Sequence, residues 1–152
     1  MPDTAPPLIL AEFLPYRLVV LGDQISRRLA RAYEAEGVTI PEWRVLAVVS
    51  QKREMAARDV VAMTPLDKMA VSRAVASLEK KGLLERRLDP GDKRVAAMRL
   101  SAAGRALFSR IARLALDYER RLLAALSAEE KRALRALLDR LGERAAAVSP
   151  EA

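Results

Sequence analysis

Residues 67–87 read DKMAVSRAVASLEKKGLLERR and run directly into LDPGDKRVAAMRL at residues 88–100. The first part predicts a helix from about Asp67 to Lys81: Val71, Val75 and Leu78 recur at helical spacing and form one apolar face. Gly82 stops it. The period then changes. Leu84-Glu85-Arg86-Arg87-Leu88 is short and compatible with a strand, and Asp89-Pro90-Gly91-Asp92 is a turn. Val95 to Leu100 reads as the returning strand, although Ala96 and Ala97 are poor strand formers. The pair makes a β-hairpin with a charged tip.

Upstream of that helix, Thr64-Pro65 punctuates the chain, because proline disfavours helix in the residue before it. A short helix is expected from about Ala56 to Met63. Another begins at Thr39-Ile40-Pro41-Glu42, with Thr39 or Ile40 ahead of the helix and Pro41 in its first turn. Trp43, Val45, Leu46 and Val49 supply its core residues. Three helices followed by a hairpin is the order of a winged helix-turn-helix, whose second motif helix enters the DNA major groove.

The face of the 67–81 helix opposite its apolar stripe carries Lys68, Met69, Ser72, Arg73, Ala76, Ser77 and Lys80. Arginine can bond a guanine edge bidentately, and a serine hydroxyl can bond bases or phosphates. Lys68 falls in the first turn, where a cation opposes the helix dipole; a nearby phosphate or guanine accounts for it. At the hairpin tip, Asp92, Lys93 and Arg94 suit a narrow, electronegative minor groove, with Asp89 and Asp92 bracing Arg94. Residues 66–100 hold nine Lys or Arg against five Asp or Glu, more than half of the chain's excess charge. The expected DNA contacts are therefore Lys68, Met69, Ser72, Arg73 and Ser77 on the helix, and Asp92, Lys93 and Arg94 on the wing. The plainer alternative is a solvated amphipathic helix and a solvated turn.

The flanks read as helices around this centre. Residues 1–7 are Pro-rich and expected to fray. Residues 8–36 hold a helix on which Leu14, Leu18, Leu21 and Ile25 step by four, three and four, a narrow stripe suited to a partner helix. Ser101 is placed to cap a long helix over about Ala102–Ala125. Ser127 and Glu130 have capping-box spacing at the head of a second, on which Leu134, Leu137, Leu138 and Leu141 share a face. The tail after Arg144 is expected to be loose. The fold is thus mainly α, an α+β winged helix. The division is a disordered 1–7, an N-terminal dimerisation helix over 8–36, a winged helix-turn-helix over 39–100, and C-terminal dimerisation helices over 101–147.

Composition narrows the function. The 152 residues carry a net charge of +7, and 51% are apolar. The pI is near 10.2. This balance favours a polyanion, either nucleic acid or an anionic membrane surface. With no cysteine and no histidine, disulfides, zinc fingers, thiol switches and Ser-His or Cys-His catalysis are excluded. No carboxylate cluster suggests a metal, and no cofactor is expected. MPDTAPPLIL does not read as a signal peptide and no apolar run is long enough to span a membrane, so the expected location is the cytoplasm. Lys68 and Ser72 lie four residues apart, but without an oxyanion donor set or a third orienting group they do not make an enzyme.

PEWRVLAVV (residues 41–49), DKMAVSRAVASLEKKGLLERR (67–87), DPGDKR (89–94) and LSAAGRAL (100–107), in this order and at these spacings, resemble the MarR family of bacterial transcription regulators. The resemblance implies a homodimer with interlocked terminal helices and a pseudo-palindromic operator with half-sites about one DNA turn apart. It matches Lys68, Ser72 and Arg73 to groove-facing positions, Arg94 to the wing-tip arginine and Asp92 to its acidic neighbour. Met69-Ala70 departs from the pair of small hydroxyl residues found in many members. Without Cys or His, the redox and metal sensing of some members is not expected here. What remains is a small organic effector, aromatic or anionic, for which Phe13, Tyr16, Arg17, Trp43 and Met63 are the candidate liners.

The expected function is a sequence-specific repressor released by such an effector. The alternatives are a ligand-independent architectural or anti-repressor protein on the same fold, and a helical protein-interaction adaptor.

Overall fold

Val71, Ala74, Val75 and Leu78, spaced for one face of a helix, are all buried and belong to the hydrophobic core. The computed structural model describes residues 6–88, 90–91 and 96–150. Among them the order is α1 (Leu14–Glu34), α2 (Ile40–Val49), β1 (Met55–Ala56), α3 (Ala57–Met63), α4 (Lys68–Lys80), β2 (Leu84–Leu88), β3 (Ala96–Leu100), α5 (Ala102–Leu122), a 3-10 turn (Leu123–Ala125) and α6 (Ala128–Ala147). The chain forms two compact units, Met1–Ala115 and Leu116–Ala152, with the boundary inside α5.

In the first unit each helix begins and ends for a local reason. Thr39 and Glu42 form a reciprocal capping box at the head of α2: Glu42 N–H donates to Thr39 Oγ1 at 3.4 Å, and Thr39 N–H to Glu42 Oε2 at 2.9 Å. Asp67 caps α4 by accepting from the Ala70 N–H at 2.7 Å. The Thr64 hydroxyl donates to the Val60 carbonyl at 2.9 Å and closes the turn between α3 and α4. α4 ends where Gly82 takes φ +70, a left-handed conformation that an L side chain resists. That lets the Leu83 N–H reach back to Leu78 O at 3.0 Å, a Schellman-type closure.

The sheet has three strands in the order β1-β3-β2, antiparallel throughout. β2 and β3 form the hairpin read from sequence, in the register Leu84↔Leu100 through Leu88↔Ala96. Ala96 and Ala97 join the ladder despite their low propensity, because β2 supplies cross-strand partners on one side and β1 pairs with Ala97 on the other. β1 was not expected. Its two residues, Met55↔Met98 and Ala56↔Ala97, extend the hairpin into a sheet and bring Met55 into the core.

The core gathers Val45, Leu46 and Val49 of α2, Val60 of α3, the apolar face of α4, Leu84, Met98 and Leu100 of the sheet, and Leu107 and Ile111 of α5. Ala30 and Tyr33, near the end of α1, belong to it as well. Trp43 stacks between Tyr33 and Phe108, with centroids 5.5 Å apart on both sides and interplanar angles of 18° and 17°. The Arg110 guanidinium pairs with Glu36 at 2.9 Å, and Arg44 reaches the Ser26 hydroxyl at 3.4 Å. The end of α1 and the start of α5 are thus bound to α2 by the ring stack, and α1 also by the Arg44–Ser26 hydrogen bond, while the Glu36–Arg110 ion pair ties the segment after α1 to α5.

In the second unit, α6 opens with the capping box expected from the spacing: Glu130 N–H to Ser127 Oγ at 3.1 Å, and Ser127 N–H to Glu130 Oε2 at 2.7 Å. It runs on to Ala147 rather than loosening after Arg144, since Ala145, Ala146 and Ala147 are strong helix formers. None of its residues is buried within the single chain.

Candidate nucleic-acid interface

Burying Val71, Ala74, Val75 and Leu78 turns Lys68, Met69, Ser72, Arg73, Ala76 and Lys80 of α4 to solvent. The cations around this helix divide into two sets. Arg86 pairs with Glu79 at 3.1 Å, Arg87 with Glu54 at 2.9 Å, and Arg99 with Glu85 at 2.7 Å across the β2–β3 pair. Lys81 is held by Glu42. Among the described residues, Lys68, Arg73 and Lys80 make no ion pair and no hydrogen bond. The exposed face of α4 therefore carries three positive charges unpaired among the described residues, together with the Ser72 hydroxyl and the Met69 side chain, 65% exposed.

This chemistry fits a duplex. A guanidinium can bond guanine O6 and N7 together, a hydroxyl suits a base edge or a phosphate, and an apolar side chain can meet a thymine methyl. Lysine ammoniums suit the phosphates on either side of the groove.

Ser77, expected among the groove contacts, is turned the other way. It is half-buried, and its hydroxyl donates to Glu42 Oε1 at 2.5 Å. Glu42 is 3% exposed. Its carboxylate also accepts from the Thr39 N–H at 2.9 Å and from Lys81 Nζ at 2.9 and 2.8 Å. The third Lys81 proton goes to the Gly37 carbonyl at 2.7 Å. Burial pushes the Glu42 carboxyl up, but the hydrogen bonds from Lys81, Ser77 and Thr39 and the Lys81 charge outweigh it and hold the group below the usual carboxylate range. Neither Glu42 nor Lys81 was singled out from sequence. The Thr39-x-x-Glu42 spacing was the available signal for the first of them.

The wing-tip residues Asp92, Lys93 and Arg94 lie outside the described residues. The expected effector residues are not brought together. Tyr16 and Arg17 share a shallow groove of 420 Å³ on α1 with Leu14, Leu18 and Leu21. Phe13 is the exposed N-cap of that helix. Met63 is the exposed last residue of α3, and Trp43 belongs to the aromatic stack; neither lines the groove. A second cavity of 510 Å³ lies between α3, α4 and the sheet, lined by Val61, Val71, Val75 and Met98 and by Arg58, Lys68, Ser72 and Arg86.

Of the expected dimer residues, Leu14, Leu18 and Leu21 are exposed and Ile25 is half-buried. Leu134, Leu137, Leu138 and Leu141 are exposed along α6. Leu8, Ile9, Leu10, Val19 and Val20 add exposed apolar surface that the α1 stripe did not include.

Residues 36–95 match the model of the MarR family. The HTH-type transcriptional regulator YdgJ of Bacillus subtilis is 30% identical over 118 residues, covering 77% of this chain and 72% of its own length. The crystal structure of a MarR family transcriptional regulator from Silicibacter pomeroyi DSS-3 is 31% identical and superimposes with a TM-score of 0.75, over 89% of this chain and 99% of that one. BpsR of Bordetella bronchiseptica, whose DNA binding is regulated by 6-hydroxynicotinic acid, shares the fold with a TM-score of 0.79 at 22% identity, over 90% of this chain and 98% of its own.

Proposed function

The chain belongs to the MarR family of helix-turn-helix transcriptional regulators, and within it we propose a homodimeric repressor that holds a pseudo-palindromic operator and releases it on binding a small aromatic or anionic effector. The fold and its relatives are those of DNA-binding regulators rather than enzymes. The observation that carries the DNA contact is the exposed face of α4, where Lys68, Arg73 and Lys80 make no ion pair among the described residues and stand beside Ser72 and Met69. Asp92, Lys93 and Arg94 of the wing complete the proposed contact set, which works in the cytoplasm.

Dimerisation rests on unsatisfied apolar surface. α6 buries no residue of its own, and Leu14, Leu18 and Leu21 of α1 stay exposed, more than a soluble monomer leaves open without a reason. A second copy would cover both helices and set two α4 helices on successive turns of a duplex. The effector reading is supported by Tyr16 and Arg17, an aromatic wall and a cation in a groove that the same leucines line, so that a ligand would be held at the proposed subunit seam, and by the regulation of BpsR by an aromatic acid. Ligand there would bias the spacing of the two lobes, and loss of bivalent docking would release DNA.

The test is selection of genomic fragments by the purified protein, followed by anisotropy titration of the recovered duplex. The expected result is tight binding that falls steeply with salt and is reversed by one of a panel of small aromatic carboxylic acids. A recovered duplex bound no better than a scrambled one would overturn the regulator reading. Salt-independent affinity would favour a protein-binding adaptor.

A further inference from the structure

Glu42 sits where three pieces of backbone converge: the turn after α1, the head of α2 and the last turn of α4. Its two oxygens accept four hydrogen bonds, and the ammonium of Lys81 gives all three of its protons to Glu42 and the Gly37 carbonyl. Both charged groups have thereby used their hydrogen-bonding capacity. Among the described residues, no buried side-chain polar atom is left without a partner. Burying a carboxylate is costly, and an apolar replacement is often as stable, so a closed ion-pair network of this kind is weak evidence for stability and better evidence for fixed geometry.

The network lies next to the DNA-facing surface. Arg73 shares a small groove with Thr39, Pro41, Glu42 and Ser77, so any sliding of α4 along α2 moves Arg73 with it. Lys81 closes the end of the same helix. A free ammonium there would bind phosphate, which strengthens attachment to every sequence equally. We propose that Glu42 is a positioning residue for operator recognition: it fixes the pitch of α4 on α2 and keeps the Lys81 ammonium and the Ser77 hydroxyl away from the duplex, so that affinity stays selective. This rests on the reading of the chain as an operator-binding regulator.

The experiment uses full-length Glu42→Gln, Ser77→Ala and the double variant Glu42→Gln with Lys81→Met. Each is titrated at several salt concentrations against the selected operator and a scrambled duplex, with circular dichroism to monitor folding. For Glu42→Gln the operator affinity should fall by about tenfold, while scrambled-duplex affinity holds or rises and its salt slope steepens by about 0.9 as one cation is released. The double variant should restore the wild-type slope without restoring selectivity. Ser77→Ala, which leaves the ion pair in place, should lose selectivity by a smaller factor and serves if Glu42→Gln does not fold. Equal selectivity of wild type and all folded variants, within twofold, would sink the positioning role alone. A wild type with no preference for any duplex would sink the operator reading and this one together.

Discussion

Gly104, in the first turn of α5, lies so close to the Leu83 carbonyl that a Cβ built on it would fall deep inside the van der Waals radius of that oxygen. The obstacle is backbone, held in place by the Ser101 N–H at 3.1 Å, and Ser101 Oγ in turn donates to the Gly82 carbonyl at 2.7 Å and accepts from the Gly104 N–H at 3.0 Å. Gly104→Ala should therefore destabilise the winged unit by about 1–3 kcal/mol, as expected when a side chain is forced into a packed site. Urea unfolding monitored by circular dichroism measures this. An unchanged midpoint would mean that α5 can shift away from the hairpin at little cost.

Arg73 and Lys80 share the α4 surface but differ in what they offer DNA. Arg73→Ala should weaken operator binding by about 1–3 kcal/mol and relax preference at one base pair, as for a base-edge contact. Lys80→Ala should weaken all duplexes similarly and lower the salt slope by about 1. Anisotropy with the operator and single-base variants separates the two outcomes, and a uniform effect from Arg73→Ala would remove it from base reading.

Leu134→Asp and Leu138→Asp test the subunit interface. Each would place a carboxylate in the proposed apolar seam, where burial without a partner is costly. Sedimentation should show monomers in place of dimers and a loss of operator binding at concentrations where the wild type is bound. Intact dimers for both variants would move the interface off α6.

Glu42 gives the winged unit an acid limit. Because its carboxyl is held below the ordinary value of 4.5, the folded state binds fewer protons there than the unfolded chain. The stabilisation is present in full above that value and is lost as pH falls through the lower, folded one. Thermal midpoints should decline below about pH 4.5 in the wild type. The decline should be shallower in Glu42→Gln, which starts about 1–3 kcal/mol less stable at pH 7. Parallel curves for the two proteins would show that other carboxylates govern the acid transition.

Much of this architecture was legible because its signals are local. Val71, Val75 and Leu78 announce one helical face, Gly82 its end, and Ser127 with Glu130 the head of α6, each within one or two turns of chain. β1 was not legible, since two residues carry no period and its existence depends on Met98, far along the sequence. Ser77 looked like a groove residue on a helical wheel because its partner lies in another helix. Trp43 looked like a possible ligand wall for the same reason: Tyr33 and Phe108, which sandwich it, meet it only through the tertiary fold. Helical spacing reports which side of an element is apolar, not which distant group will claim a polar atom or a ring.

Trp43 is the only tryptophan in the chain, and it is gripped between one ring from α1 and one from α5. Any displacement of either helix against α2 must slide an indole face across its neighbour. The protein thus carries an optical gauge inside its first compact unit: emission from a single fluorophore registers how Tyr33 of α1 and Phe108 of α5 bear on α2, with no label attached.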